Sequence, residues 1–430
     1  MRVHTLLTYS LILSPFLLPT MAIAEHDQEH NANLQVKSIE ASNGLTLQSA
    51  LTLALEANPE IFAAIREREA IEGVVIQAGT RPNPSVSAML EDTRSSTRQT
   101  TLQFNQPIEL GGKRDSRIKA ATLGYDLTGS ELDLKKMQIM ASVNLAFQEV
   151  LIAQERVKLL QSSLALAQHA KDAAGKRVIA GQISPVEETK SKVAESAVKI
   201  ELNQANSLLD NARNRLTALW GNFSPEFEFA LGDVDKAATL PPLNDLINAV
   251  QNSPAIQRAN LEINRRKALV EVENTKRTPD VTISVGARRN EELGLNQAVL
   301  GLSVPIPLFD RNQGNIQQAL SRAEKAKDEL SIMDIQLRST VTQAYRRWSS
   351  NHNAIESLRA DILPGAQSAY DAATRGFELG KFNFLDVLDA QRTLFQAKTQ
   401  YLNALLETYQ AVADIERIVG DIASYPKAKL

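Results

Sequence analysis

The sequence predicts a mainly α-helical, internally duplicated chain of long antiparallel hairpins with a small β portion. Three observations predict it. Landmarks recur at a nearly constant spacing: Asn58-Pro59 returns as Ser253-Pro254 and Pro84-Ser85-Val86 as Pro279-Asp280-Val281, both at 195, and Gln106 to Leu110 returns as Val304 to Leu308 at 198. Gly181 and Gly221 return as Gly380 and Gly420 at 199. Five landmarks at offsets between 195 and 199 are the mark of a repeat. Next, residues 113–174 and 312–375 are rich in Ala, Leu, Gln, Lys and Glu, which favour helix, and contain no proline except Pro364. At 1.5 Å per residue the first run is about 93 Å long, far beyond the core of an ordinary globular domain. Finally, each copy holds two short segments in which apolar residues alternate with small or polar ones, the signal of a strand with one apolar face.

The chain begins with Arg2, an apolar run from Leu6 to Leu18, and Ala22-Ile23-Ala24. That pattern predicts a secretory signal over 1–24, cleaved after Ala24. Its removal takes the formal charge from −3 to −4, because Arg2 is its one charged residue. A mildly acidic mature chain gives no reason to expect a nucleic acid partner. The absence of cysteine excludes disulfides, thiolate metal sites, cysteine nucleophiles and a lipid on an N-terminal cysteine. Past the signal no apolar run is long enough for a transmembrane helix, which leaves a periplasmic or secreted protein or a membrane β-barrel. Residues 25–44 read as a flexible polar leader. His26 and His30, four apart, are the one pair that could hold a metal if that leader were helical.

The first copy spans 45–221 and the second 243–421, joined by a crossover over 222–242 and followed by a tail over 422–430. Each opens with a helix of about 35 residues, 46–80 or 243–277, ended by a proline. Strands follow. In the first copy Val86, Ala88 and Leu90, then Leu102 and Phe104, form the apolar sides; in the second Val281, Ile283 and Val285, then Ala298, Leu300, Leu302 and Val304 do. Polar loops are expected over 92–98 and 288–296. The long helix comes next, and then a return helix over 185–219 or 384–419. Two half-length helices stacked end to end match one long helix, which predicts a hairpin-like coiled bundle with the crossover at mid-height. Trp220 and Trp348 are expected to pack between helices. Gly111-Gly112-Lys113-Arg114 lacks the spacing of a phosphate cradle and reads as a basic strand-to-helix corner.

Two tips join the long and return helices. Gly181 breaks the first long helix, Ser184 caps the next and Pro185 takes its first position. Gly380 and Asn383 do the same in the second copy, and Asp386 is placed to reach back to the cap as in a capping box. The exposed tip residues Gly181, Gln182, Ser184, Gly380, Lys381 and Asn383 fit turn chemistry and fit a docking surface. Asp386 and Asp389, one turn apart, share a face. They fit a capping residue and a solvated one, and equally two acidic positions at a pore mouth.

Four strands of about nine residues have the length of tilted transmembrane strands. In lipid an open sheet leaves edge amides unpaired, each at a cost of several kcal/mol, so its edges close only if several chains share one barrel. No catalytic motif such as Gly-x-Ser-x-Gly or His-Glu-x-x-His is present, and no enzyme or cofactor is expected.

Leu385-Asp386-Val387-Leu388-Asp389-Ala390 after Gly380, Asn58-Pro59-Glu60 and the proline corners together resemble the TolC family of outer-membrane efflux channels, over essentially the whole mature length. Gln106-Pro107-Ile108-Glu109-Leu110-Gly111-Gly112-Lys113-Arg114 resembles its CzcC-like heavy-metal branch (cobalt, zinc and cadmium). The resemblance implies a homotrimer with a twelve-stranded barrel in the outer membrane of a Gram-negative bacterium and a helical tunnel in the periplasm. It implies a passive duct joined through a periplasmic membrane-fusion adaptor to a proton-driven inner-membrane pump of the resistance–nodulation–division type. The family's gate aspartates match Asp386 and Asp389, which implies stacked acidic rings that attract cations. The alternatives are the same duct for drugs or other organic compounds, and a pore-less periplasmic coiled-coil adaptor. An adaptor would carry a lipoyl-like region around one central hairpin, whereas this chain has duplicated strand pairs.

Overall fold

The computed structural model describes residues 44–235 and 239–420. The chain runs β1 (Leu45–Thr46), α1 (Leu47–Ala57), α2 (Pro59–Ala78), β2 (Ser85–Glu91), β3 (Gln99–Ile108), α3 (Lys113–Ile179) and α4 (Pro185–Ala218). It continues through β4 (Ala230–Leu231), α5 (Leu243–Val250), α6 (Pro254–Thr275), β5 (Val281–Asn290), β6 (Leu295–Ser303), α7 (Gln313–Ser357), a π-helical turn (Leu358–Ile362), α8 (Leu363–Glu378) and α9 (Phe384–Val419).

α3 is the spine. Its 67 residues are continuous, about 100 Å at 1.5 Å each. One half carries α2 and α6, tied by Lys135–Glu60 at 2.9 Å and Arg258–Glu131 at 2.5 Å. The other half carries α4 and α9, tied by Arg215–Glu149 at 3.0 Å and Gln391 Nε2 to Ser163 Oγ at 3.1 Å. The half-length helices stack end to end, as expected. Asn58, at the start of α2, donates from Nδ2 to the Leu219 carbonyl at the end of α4, 2.7 Å away.

The same residue corrects the expectation of one unbroken 35-residue helix. Asn58 leaves helical geometry and its Oδ1 accepts from the amides of Glu60 and Ile61, so α2 is a new helix with Pro59 at its first position. Ser253 does the same for α6 before Pro254. Proline supplies no amide for the preceding helix, and a short polar cap satisfies the new start. A second correction concerns the run 312–375. It is α7, a π turn and α8, with the Leu363 amide bonding back to the Leu358 carbonyl. Pro364 lacks an amide donor, and the ladder widens just before it.

The four long strands form one antiparallel sheet in the order β2-β3-β5-β6. The two hairpins meet at β3 and β5, where Phe104 faces Val285. Val86, Phe104, Val285 and Leu300 make one row across all four strands. All four are exposed, Leu300 at 80%. The second hairpin loop is shorter than expected, 291–294, because Arg288, Arg289 and Asn290 continue the ladder opposite Gln297, Asn296 and Leu295.

Two apolar clusters sit where the half-helices meet. Phe147, Leu216, Trp220, Phe227 and Leu405 belong to the larger, and Leu246, Val250, Val341, Ile415 and Val419 to the smaller. Burying each such side chain contributes roughly 1.5–3 kcal/mol. The crossover is held here: β4 pairs in parallel with β1, and the Tyr409 hydroxyl donates to the Val234 carbonyl at 2.9 Å. Trp348 packs on the smaller cluster and stacks on His352.

Candidate gate and docking tips

Both tips are built by one backbone device. After α3, Gly181 has φ +68°, its amide bonds to the Val178 carbonyl at 3.0 Å, and the Gln182 amide bonds to Arg177 at 2.9 Å. After α8, Gly380 has φ +71°, its amide bonds to Phe377 at 3.0 Å, and the Lys381 amide bonds to Gly376 at 2.8 Å. This is a Schellman ending twice over, and the left-handed position takes glycine because a Cβ is disfavoured there. Gln182, Ser184, Lys381 and Asn383 are then carried at the extremity of each hairpin, with Lys381 and Asn383 exposed.

The helix starts differ. Ser184 Oγ accepts from the Val186 amide, a simple cap. Asn383 and Asp386 form a complete capping box: the Asp386 amide donates to Asn383 Oδ1 at 3.1 Å and the Asn383 amide donates to Asp386 Oδ2 at 3.0 Å. Asp386 therefore caps, yet remains exposed. Asp389 is exposed one turn further on. Val387 and Gln391 lie on the opposite side of α9 at 100° per residue; Val387 is buried and Gln391 bonds Ser163 on α3. The carboxylates thus point away from α3.

Charge separates the two tips. In the first copy Glu187 is bridged by Lys190 at 3.3 Å and Glu188 by Lys192 at 2.5 Å. At the spacing of 199, Asp389 corresponds to Lys190. Among the described residues no basic side chain pairs with Asp386 or Asp389. One link escaped sequence reading. Arg177, ending α3, lies 3.9 Å over the Phe377 ring and donates to the Phe377 carbonyl at 3.1 Å, tying the two tips of one chain together. Gly376, inside α8, is glycine for contact, since a Cβ there would overlap the Phe382 ring.

The corner Gly111-Gly112-Lys113-Arg114 is a strand-to-helix junction. Both glycines have positive φ, Lys113 pairs with Asp280 at 2.6 Å, and Arg114 Nε donates to the Gly79 carbonyl at 2.6 Å. The first bond ties the corner to the residue before β5, and the second ties it to the end of α2. No metal cluster of three or more His, Asp or Glu occurs among the described residues. His26 and His30 lie outside them. Among the described residues no helix is long and apolar enough to cross a membrane.

An antiparallel sheet with an exposed apolar face and a largely polar opposite face, standing on long hairpins whose spine is about 100 Å, defines the fold class: a mostly helical hairpin bundle carrying a four-stranded sheet at one end. The chain belongs to the outer membrane efflux protein family, which matches residues 50–222 and 246–421. It is similar to the cobalt-zinc-cadmium resistance protein CzcC of Cupriavidus metallidurans, 45% identical over 94% of this chain and 97% of that protein. It is 26% identical to the nickel-cobalt-cadmium resistance protein NccC of Alcaligenes xylosoxydans xylosoxydans, over 71% of this chain and 72% of that one. The outer membrane channel MtrE of Neisseria gonorrhoeae, solved in its open state, shares the fold at a TM-score of 0.72, with 20% identity, over 87% of this chain and 88% of that chain. The family's members are efflux channels of the outer membrane.

Proposed function

We propose that the protein is the passive outer-membrane duct of a tripartite efflux system and that its cargo is heavy-metal cations. The observation that carries the cargo is the 45% identity to a cobalt-zinc-cadmium resistance protein along nearly the whole of both chains. The strands and the long hairpins supply the path, with no resident metal site required. A homotrimer of twelve strands accounts for what the single chain leaves open. β2 and β6 are sheet edges without a second neighbour. Val193 and Ile200 on α4, and Ile332 and Ile335 on α7, are exposed apolar side chains on the outer helices. A ring of copies covers both.

In that ring Asp386 and Asp389 stack as two acidic layers at the periplasmic mouth and concentrate cations there. Gly181, Gln182, Ser184, Gly380, Lys381 and Asn383 form the surface that meets a periplasmic membrane-fusion adaptor, which couples the duct to an inner-membrane pump of the resistance–nodulation–division type. Deleting the gene and comparing growth in cobalt, zinc, cadmium and copper with growth in common drugs tests the cargo. Loss of metal tolerance is expected. Loss of drug tolerance alone overturns the assignment.

A further inference from the structure

The apolar rows of the sheet take lipid, so the other face lines the barrel lumen. On that face the strands present Ser85, Ser87, Met89 and Glu91 from β2, Gln99, Thr101, Gln103 and Asn105 from β3, and their partners from β5 and β6. Low on the wall a neutral belt crosses three strands: Asn105 Nδ2 donates to Ser87 Oγ at 3.0 Å, and Ser284 Oγ donates to Asn105 Oδ1 at 2.7 Å. Of the strand residues on this face, only Glu91 and Arg288 carry charge. Glu91 is level with Gln99 and Asn290, and Arg288 stands on the next rung of the same face, level with Met89 and Thr101; both are next to the hairpin loops and so at the level of the outer mouth. Arg288 Nε donates to Thr101 Oγ1 at 3.1 Å, and its guanidinium is 3.9 Å from the Glu91 carboxylate. Arg288 stands on β5, an inner strand of the sheet, so this level belongs to each chain's own wall.

We propose that Glu91 and Arg288 set the ion selectivity of the outer mouth: Glu91 neutralises Arg288 and, with Thr101, draws it against the wall, out of the way of departing cations. The proposal rests on the duct reading above. It assigns a specific cost to losing either partner. Without Glu91, a ring of copies presents uncompensated guanidinium groups at the exit. Without Arg288 it presents uncompensated carboxylates.

The test is the permeability ratio of K⁺ to Cl⁻ in planar bilayers at low salt, using the full-length protein and Glu91→Gln, Arg288→Gln and the double variant. The same set is run with Asp386→Ala and Asp389→Ala, where the tip adds no acidic charge. Glu91→Gln is expected to lower the ratio and Arg288→Gln to raise it, each by about fourfold or more, because a unit charge roughly 10 Å from an ion in water acts about twofold on K⁺ and about twofold the other way on Cl⁻. The double variant is expected to return to the parent value. Conducting single variants with unchanged ratios overturn the proposal and leave the duct standing. A parent protein that conducts nothing removes the duct and the proposal with it.

Discussion

Asn58 shows how one side chain can join two helices. It is 3% exposed, and both of its polar atoms are engaged: the oxygen by two amides of α2, the nitrogen by the end of α4. Asn58→Ala removes the cap and leaves a carbonyl without its donor, and is expected to cost about 1–3 kcal/mol in denaturant unfolding. Asn58→Ser keeps a capping oxygen and loses only the bond to Leu219, so it should cost less; an Ala variant as stable as the parent contradicts this assignment. At the second tip, Gly376→Ala should disturb the turn, and adding Phe382→Ala should relieve it, because the overlap is with that ring. Protease cleavage at the tip reads the difference. For the gate, Asp386→Ala with Asp389→Ala should weaken block by multivalent cations and ease opening, whereas unchanged block removes the role. The capping box was readable in the sequence because its partners are three residues apart. The Arg177–Phe377 link was not, since its partners are 200 apart and no repeat pairs them.

At the scale of elements, the strands and their apolar sides were legible because a period of two needs no partner to be seen. The polar run 288–296 is only in part a loop, because Arg288, Arg289 and Asn290 continue β5 and Arg288 turns its charge to the polar face of the sheet. The breaks at Asn58 and Ser253 carried their signal, a short polar cap followed by proline, but the apolar pattern on both sides ran on and masked it. The cysteine-free chain makes the sheet faces directly measurable. In the assembled protein, a water-soluble thiol reagent should label Gln103→Cys and spare Leu300→Cys in membranes; the reverse would turn the sheet inside out. In α6, burial works against the Glu262 carboxylate, but hydrogen bonds and charge from Arg265 and Arg266 outweigh it and hold the group below its usual 4.5. A carboxylate depressed in the fold stabilises above its unfolded value and loses that contribution as pH falls through the folded one. The advantage of the parent over Glu262→Gln should therefore be full at neutral pH and shrink below about 4.5, read by denaturation of the detergent-solubilised protein. An advantage that grows on acidification contradicts the sign.

For the molecule as a whole, duplication was the most legible property, because spaced landmarks survive even where the residues between them differ. Its functional asymmetry is written in fewer residues. Lysines close over Glu187 and Glu188 in one copy, while Asp386 and Asp389 stand without such partners in the other. The open sheet edges and the exposed apolar flanks of α4 and α7 are unsatisfied in a single chain, and the proposed ring of copies is what would complete them. The number of copies, the adaptor and the pump leave no comparable pattern in one chain's contacts, because they are properties of surfaces that meet other molecules. The central claim is that assembled copies of this chain make a continuous duct whose narrowest, acidic point is at the second tip. Conductance of the purified full-length protein in planar bilayers tests it most directly. The account predicts discrete, cation-favouring conductance steps that multivalent cations block from the periplasmic side. No conductance under any condition contradicts it.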